Sequence, residues 1–136
     1  MTDRVLGLLG LMRKASALSP GEDSASDAVL SGKAKLLLLP SDAGDKKKER
    51  AEWYTDGRSC LIVKLPYTES QLSESVGTGG CTMAAVTDMG FADSLMQILS
   101  EQDPELFSEQ AEQIHAKFEK QKKRKIEKPG KPKGKK

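Results

Sequence analysis

Gly32-Lys33-Ala34-Lys35-Leu36-Leu37-Leu38-Leu39-Pro40-Ser41-Asp42-Ala43 sets four consecutive leucines between a glycine and a proline. The run is short and does not alternate. A strand with no polar side is buried on both faces, as in the middle of a covered sheet. Leucine is a modest strand former, so the reading of 34–39 as a strand rests on length and flanks as much as on propensity. Pro40 and Ser41-Asp42 end the strand, and Asp42 is placed to cap the next helix.

On the N-terminal side of the strand, residues 22–30 form a helix with Ala25, Ala28 and Val29 inward and Gly32 as its stop. Ser19-Pro20-Gly21 separates it from a first helix over 3–16, capped by Thr2 or Asp3, with Val5, Leu6, Leu8, Leu9, Met12 and Ala15 on one stripe. Downstream, residues 45–54 read as a polar helix anchored by Ala51 with Trp53 or Tyr54. A strand over 59–65 ends at Pro66, and Thr68-Glu69-Ser70-Gln71 is a capping box opening a helix to residue 76. Gly77 to Gly80 is a loop, 82–87 a strand, and 91–99 a helix with Phe91, Leu95, Ile98 and Leu99 inward. Helices alternate with strands, so the chain predicts an α/β fold with helices on both faces of a small sheet. Asp103-Pro104-Glu105 starts one more helix, with Phe107, Ala111, Ile114 and Phe118 on one face. That stripe could dock on its own domain or on a partner.

Composition narrows the classes. The 136 residues suit one domain, and with 37% hydrophobic and 4% aromatic residues the core must be aliphatic. The apolar stretch 5–12 is read as a helix of the fold, not a signal peptide, and no run approaches a membrane span. Cys60 and Cys81 form no CxxC pair and are read as reduced thiols of a cytoplasmic protein. The single histidine, His115, lies beyond the main domain and reads as solvated. No metal set, catalytic residue or cofactor is predicted. Gly77-x-Gly79-Gly80 lacks the Lys-Ser/Thr ending of a phosphate loop.

Charge is unevenly spread. Residues 117–136 hold eleven of the 22 Lys and Arg and two of the 20 acids, a net of +9. Five acids fall between Glu101 and Glu112, and residues 1–100 are left near −2. A nearly neutral body, an acidic connector and a strongly basic end is the pattern of a phosphate-binding arm.

The stretch 32–39 with Ser41-Asp42-Ala43 resembles the helix–strand–turn signature of the ribosomal L-seven-Ae family. Ala84-Ala85-Val86-Thr87-Asp88 with Gly90-Phe91-Ala92 resembles the last strand and helix of its bacterial YlxQ-type branch. Leu6-Gly7-Leu8-Leu9-Gly10-Leu11 and the 19–23 segment fit the same branch. The resemblance covers residues 4–100. It implies a three-layer αβα sandwich on a mixed four-stranded sheet over residues 1–100, to which the residues themselves add a charged amphipathic C-terminal helix over 101–125 and a disordered Lys/Pro/Gly-rich basic tail over 126–136.

It also implies RNA binding. Archaeal and eukaryotic members of that family read kink-turn RNA with a Gly-x-Asn-Glu-x-x-Lys run at the start of the second helix, beside a loop that precedes the last strand. Gly21 matches the glycine, whereas Asp23 stands at the Asn position, Ser24 at the Glu position and Asp27 at the Lys position. Asp23 loses a donor, Ser24 is short, and Asp27 reverses the charge at a phosphate contact. The residues expected at RNA are Arg13, Lys14, Gly21, Glu22, Asp23, Ser24 and Lys33, with Gly79, Gly80, Cys81, Thr82 and Met83 of the second loop. Lys120, Lys122, Lys123, Arg124, Lys125 and Lys128 are expected as tail phosphate contacts. The partner so implied is structured RNA, ribosomal RNA foremost, with ribosomal proteins as possible neighbours and a monomer away from RNA. The rival reading is a protein-interaction module whose tail gives only non-specific RNA affinity.

Overall fold

The four leucines are the centre of the molecule. In the computed structural model, which describes residues 3–77 and 79–127, β2 (Leu36–Leu39) is buried along its whole length. It is flanked by β4 (Ala84–Val86), antiparallel to it, and by β3 (Leu61–Lys64), parallel to it. β1 (Leu18–Pro20) lies antiparallel on the far side of β4, so the sheet runs β1-β4-β2-β3 and is mixed.

Because successive strand side chains point to opposite faces, the leucines divide between two cores. Leu37 and Leu39 meet Ala25, Ala28 and Val29 of α2 (Glu22–Leu30) and Ala51 of α3 (Asp45–Thr55). Leu36 and Leu38 meet the helices of the other face: α1 (Arg4–Lys14), α4 (Glu69–Val76), α5 (Met89–Gln102) and α6 (Pro104–Glu127). This is the αβα sandwich that the family resemblance implies and that the leucine run and the alternation of elements allow. No helix among the described residues is long and apolar enough to cross a membrane.

Local chemistry sets the element ends. Asp3 caps α1 by accepting from the Val5 and Leu6 amides, and Tyr67 donates to both of its oxygens at 2.7 Å. That contact ties the start of α1 to the connection after β3. Gly10 lets α1 approach α4, since a Cβ there would lie 3.2 Å from the Ser75 carbonyl oxygen. The Thr68–Gln71 capping box forms as its sequence predicts. Asp42 does not cap α3; Gly44 is the N-cap, and the Asp42 carboxylate instead accepts from the Glu69 amide at the start of α4.

Three side-chain placements differ from the sequence expectation or decide between its alternatives. Trp53 is not an anchor of α3 but stands 71% exposed, because Ala51 and Tyr54 already occupy the inward side of that helix. His115 is not simply solvated: its Nδ1 lies 3.0 Å from Oδ1 of the buried Asp93, which joins α6 to α5. The stripe on α6 docks on its own domain. Phe107, Ala111 and Ile114 are buried in the same core as Leu95, Met96 and Leu99. Gln110 donates to the Ile62 carbonyl at 2.8 Å, and Lys117 to that of Ser59, so the helix also meets polar groups at and next to β3.

Candidate nucleic-acid interface

The start of α2 is built by a glycine. Gly21 is the N-cap with φ +89°, a conformation that L side chains rarely adopt. Its amide donates to the Met83 carbonyl at 2.8 Å, and its carbonyl accepts from Ala25. No side chain caps the helix, so its first amides have no side-chain acceptor, the arrangement that favours an anion or a nucleic-acid edge. The Gly21–Met83 bond also brings the loop before β4 alongside. Ser73 holds that loop from below by accepting from the Cys81 amide at 2.9 Å. Thus the two segments predicted to share a surface are joined by a backbone hydrogen bond.

Within the loop the side chains divide. Gly79 and Gly80 are exposed and Thr82 is half-buried, but Cys81 and Met83 are buried. Those two belong to opposite cores and support the loop from beneath, so of their atoms only the backbone is left to meet a ligand there. Burial pushes the Cys81 thiol up, against a hydrogen bond from the Gly21 backbone that pulls it down. The Cys60 thiol is pushed up to about 11, again by burial. Both are protonated at neutral pH, and thiols without thiolate character are poor nucleophiles.

Glu22 is committed to its own fold. Its carboxylate accepts from Arg50 Nε at 2.7 Å and Nη2 at 2.9 Å, and from the Tyr54 hydroxyl at 2.7 Å. The Arg50 and Tyr54 hydrogen bonds hold its pKa below the usual carboxylate range. Arg50, which with Lys46-Lys47-Lys48 reads from sequence as a solvated face or as one near bound RNA, therefore has a partner across the fold. Asp23 and Ser24 remain exposed at the helix start. Glu22 and Asp23 in the first turn oppose the positive end of the α2 dipole for any incoming phosphate.

A groove of about 580 Å³ runs along the other flank of α2. It is lined by Ser16, Ser19, Ser24, Asp27, Ala28, Ser31, Lys33 and Thr87. Ser24, Asp27, Ala28 and Ser31 recur every three or four residues and so form one side of the helix. The groove is rich in hydroxyls, with Lys33 as its cation and Asp27 as its acid. Arg13 and Lys14 lie exposed in the last turn of α1, just before Ser16. Sequence reasoning missed Ser16, Ser19, Ser31 and Thr87, which converge only once β1 has paired with β4.

The predicted tail contacts fall in three places. Lys120 is exposed on α6, and Lys122 sits 5.3 Å over the Phe118 ring and 3.6 Å from Glu119. Lys123, Arg124 and Lys125 continue α6, and Lys128 lies outside the described residues.

No family model matches the chain. The RNA-binding protein YlxQ of Bacillus subtilis (strain 168) is 34% identical over 96 residues, 68% of this chain and 91% of that protein. A protein of unknown function from Bacillus halodurans C is similar in structure, with a TM-score of 0.66 at 26% identity over 73% of this chain and 99% of that one. The Giardia lamblia 15.5kD RNA binding protein shares the fold, with a TM-score of 0.55 at 16% identity over 78% of this chain and 90% of that one. With its αβα sandwich and its glycine-started second helix, the chain belongs to the ribosomal L-seven-Ae superfamily, in the YlxQ-type branch.

Proposed function

We propose that this protein is a non-enzymatic RNA-binding protein whose partner is structured RNA, kink-turn-like or ribosomal. Residues 1–100 carry the reading surface, 101–125 the appended helix, and 126–136 the basic end. The observation that carries the reading is the Gly21–Met83 hydrogen bond, which sets an uncapped helix start beside a small-residue loop. Backbone amides and glycines suit the shape of a sharply bent backbone more than the identity of its bases. A relative that spans most of this chain is named as an RNA-binding protein, which supports the same reading.

In this proposal the two parts of the chain do different work. Asp23 and Asp27 make the α2 surface a poor magnet for phosphate, so selectivity comes from fit. The Lys-rich end supplies affinity through counterion release, without sequence choice. The protein would act as a monomer in the cytoplasm, in association with the ribosome or translation.

The test is a salt series of binding by the full chain to a kink-turn RNA and to a straightened duplex of the same length. Both should bind with a steep salt dependence, and the kinked RNA should bind tighter at every salt. Equal affinity for the two across the series would leave only the non-specific arm. Binding to neither at low salt would end the RNA reading.

A further inference from the structure

The chain has a single tryptophan, and it stands on the surface. We infer that Trp53 is a stacking platform for an unpaired base of bound RNA, with Arg50 and Lys46 beside it as phosphate contacts. The inference rests on the RNA reading above and extends that interface from the start of α2 onto α3.

Geometry prepares the ring for this. Tyr54 packs edge-on against Trp53, with ring centroids 5.8 Å apart and planes at 73°. The Tyr54 hydroxyl is held by Glu22, and Glu22 is held by two bonds from Arg50. The indole is thus linked through one ring and one carboxylate to the first residue of α2. A platform backed on one edge by a neighbouring ring loses less conformational freedom than an unbacked one when a base stacks on it.

Charge is sorted along the same helix. Lys46, Arg50 and Trp53 recur at i, i+4 and i+7 and form one strip, while Asp45, Glu49 and Glu52 form the adjacent one. The bonds from Arg50 and Tyr54 to Glu22 show which side of α3 borders α2. It is the side carrying the cations. Glu22 uses Arg50 Nε and Nη2, which leaves Nη1 and a half-exposed guanidinium for a phosphate.

The surroundings favour a base over a protein side chain as the occupant. One turn to either side of Trp53 stand Glu49, Arg50, Asp56 and Gly57, none of them the apolar rim of a protein hot spot. Cations reach the ring from one side, Arg50 one turn before it and Lys46 two turns before it, while Glu49 and Asp56 stand on the other; an aromatic face with cations along one edge can stack a base while its backbone lies on that edge.

The single tryptophan makes the test direct. The full chain is titrated with the kink-turn RNA and with the straight duplex, while Trp53 emission and the anisotropy of end-labelled RNA are read together. The kinked RNA should quench Trp53 with the same midpoint as the anisotropy, and the duplex, which offers no unpaired base, should not. W53A should weaken binding of the kinked RNA about 5- to 100-fold, and W53F, which keeps a π-face, within about threefold of wild type. Circular dichroism should be unchanged in both, since the ring is exposed. RNA binding with steady emission and an unweakened W53A would overturn the inference alone and leave the ring to a protein partner. So would equal quenching by the duplex. No binding of either RNA by the wild-type chain would overturn the proposed function, and this inference with it.

Discussion

In the proposed function the start of α2 and the far end of α6 both meet RNA, and they differ in nearly every property that governs phosphate binding. The α2 surface is fixed by backbone hydrogen bonds, carries exposed acids at Asp23 and Asp27, and has its first carboxylate tied up by Arg50. The end of the chain carries a net +9 over twenty residues and little to bury. A surface can select a shape while attracting it weakly, provided that affinity comes from elsewhere. The contrast assigns fit to one region and attraction to the other.

The largest expected effect comes from removing the attraction. Changing Lys120, Lys122, Lys123, Arg124, Lys125 and Lys128 to Gln should cost on the order of a hundredfold or more in RNA affinity at moderate salt. It should also flatten the slope of log K against log salt by about 0.7–0.9 for each lost phosphate contact. Filter binding across salt checks both. A variant that keeps its wild-type slope would dissolve the division.

The second prediction concerns where the attraction begins. α6 is part of the folded body, since Ile114 is fully buried with Leu95 and Leu99. Ile114→Ala should destabilise the whole domain by about 2–4 kcal/mol, read as a shift of the urea midpoint. A chain cut at residue 100 would expose the same core surface. For that reason charge neutralisation in the full chain, not truncation, separates tail from domain.

Asp27→Lys places a cation where the family's kink-turn readers carry theirs. It should tighten binding of kinked RNA about tenfold, roughly 1.4 kcal/mol, and leave the straight duplex nearly unaffected. Equal gains for both RNAs would mean that α2 adds only charge.

How much of this was legible in the sequence depends on the range of the interaction. The bounds of α2 come from Gly21 and Gly32, those of α4 from the Thr68–Gln71 box, and the buried strand from four leucines between a glycine and a proline. These are local signals, written within a few residues of their effect. The Glu22–Arg50–Tyr54 cluster spans up to 32 positions and His115–Asp93 spans 22, and neither has a local signature. Trp53 misled because a large aromatic on a polar helix reads as an anchor, yet Ala51 and Tyr54 take that role. That the Cys81 and Met83 side chains turn into opposite cores has no local signal either, since a short loop between glycines and a strand does not show which of its side chains point inward.

The smallest effect is one of pH. Hydrogen bonds from Arg50 and Tyr54 hold Glu22 below its ordinary 4.5. At Asp3, burial works the other way, but hydrogen bonds from Tyr67 and the Leu6 and Val5 amides prevail and lower it from 3.8. The folded state then binds fewer protons than the unfolded one in acid. The stabilisation is fully present above about pH 4.5 and is lost as pH falls through the lowered values. Urea midpoints at pH 3 and pH 6 should therefore differ less in Glu22→Gln than in the wild type. An unchanged difference would mean that the Arg50 bond does not set the Glu22 pKa.

The division of labour is tested most directly by the selectivity of the six-fold tail variant, measured as the ratio of its dissociation constants for straight and kinked RNA. The variant should bind both far more weakly while the ratio stays at or above about five, roughly 1 kcal/mol of shape preference retained by the domain. A ratio of one, with the preference lost along with the charge, would contradict a domain that selects and a tail that attracts.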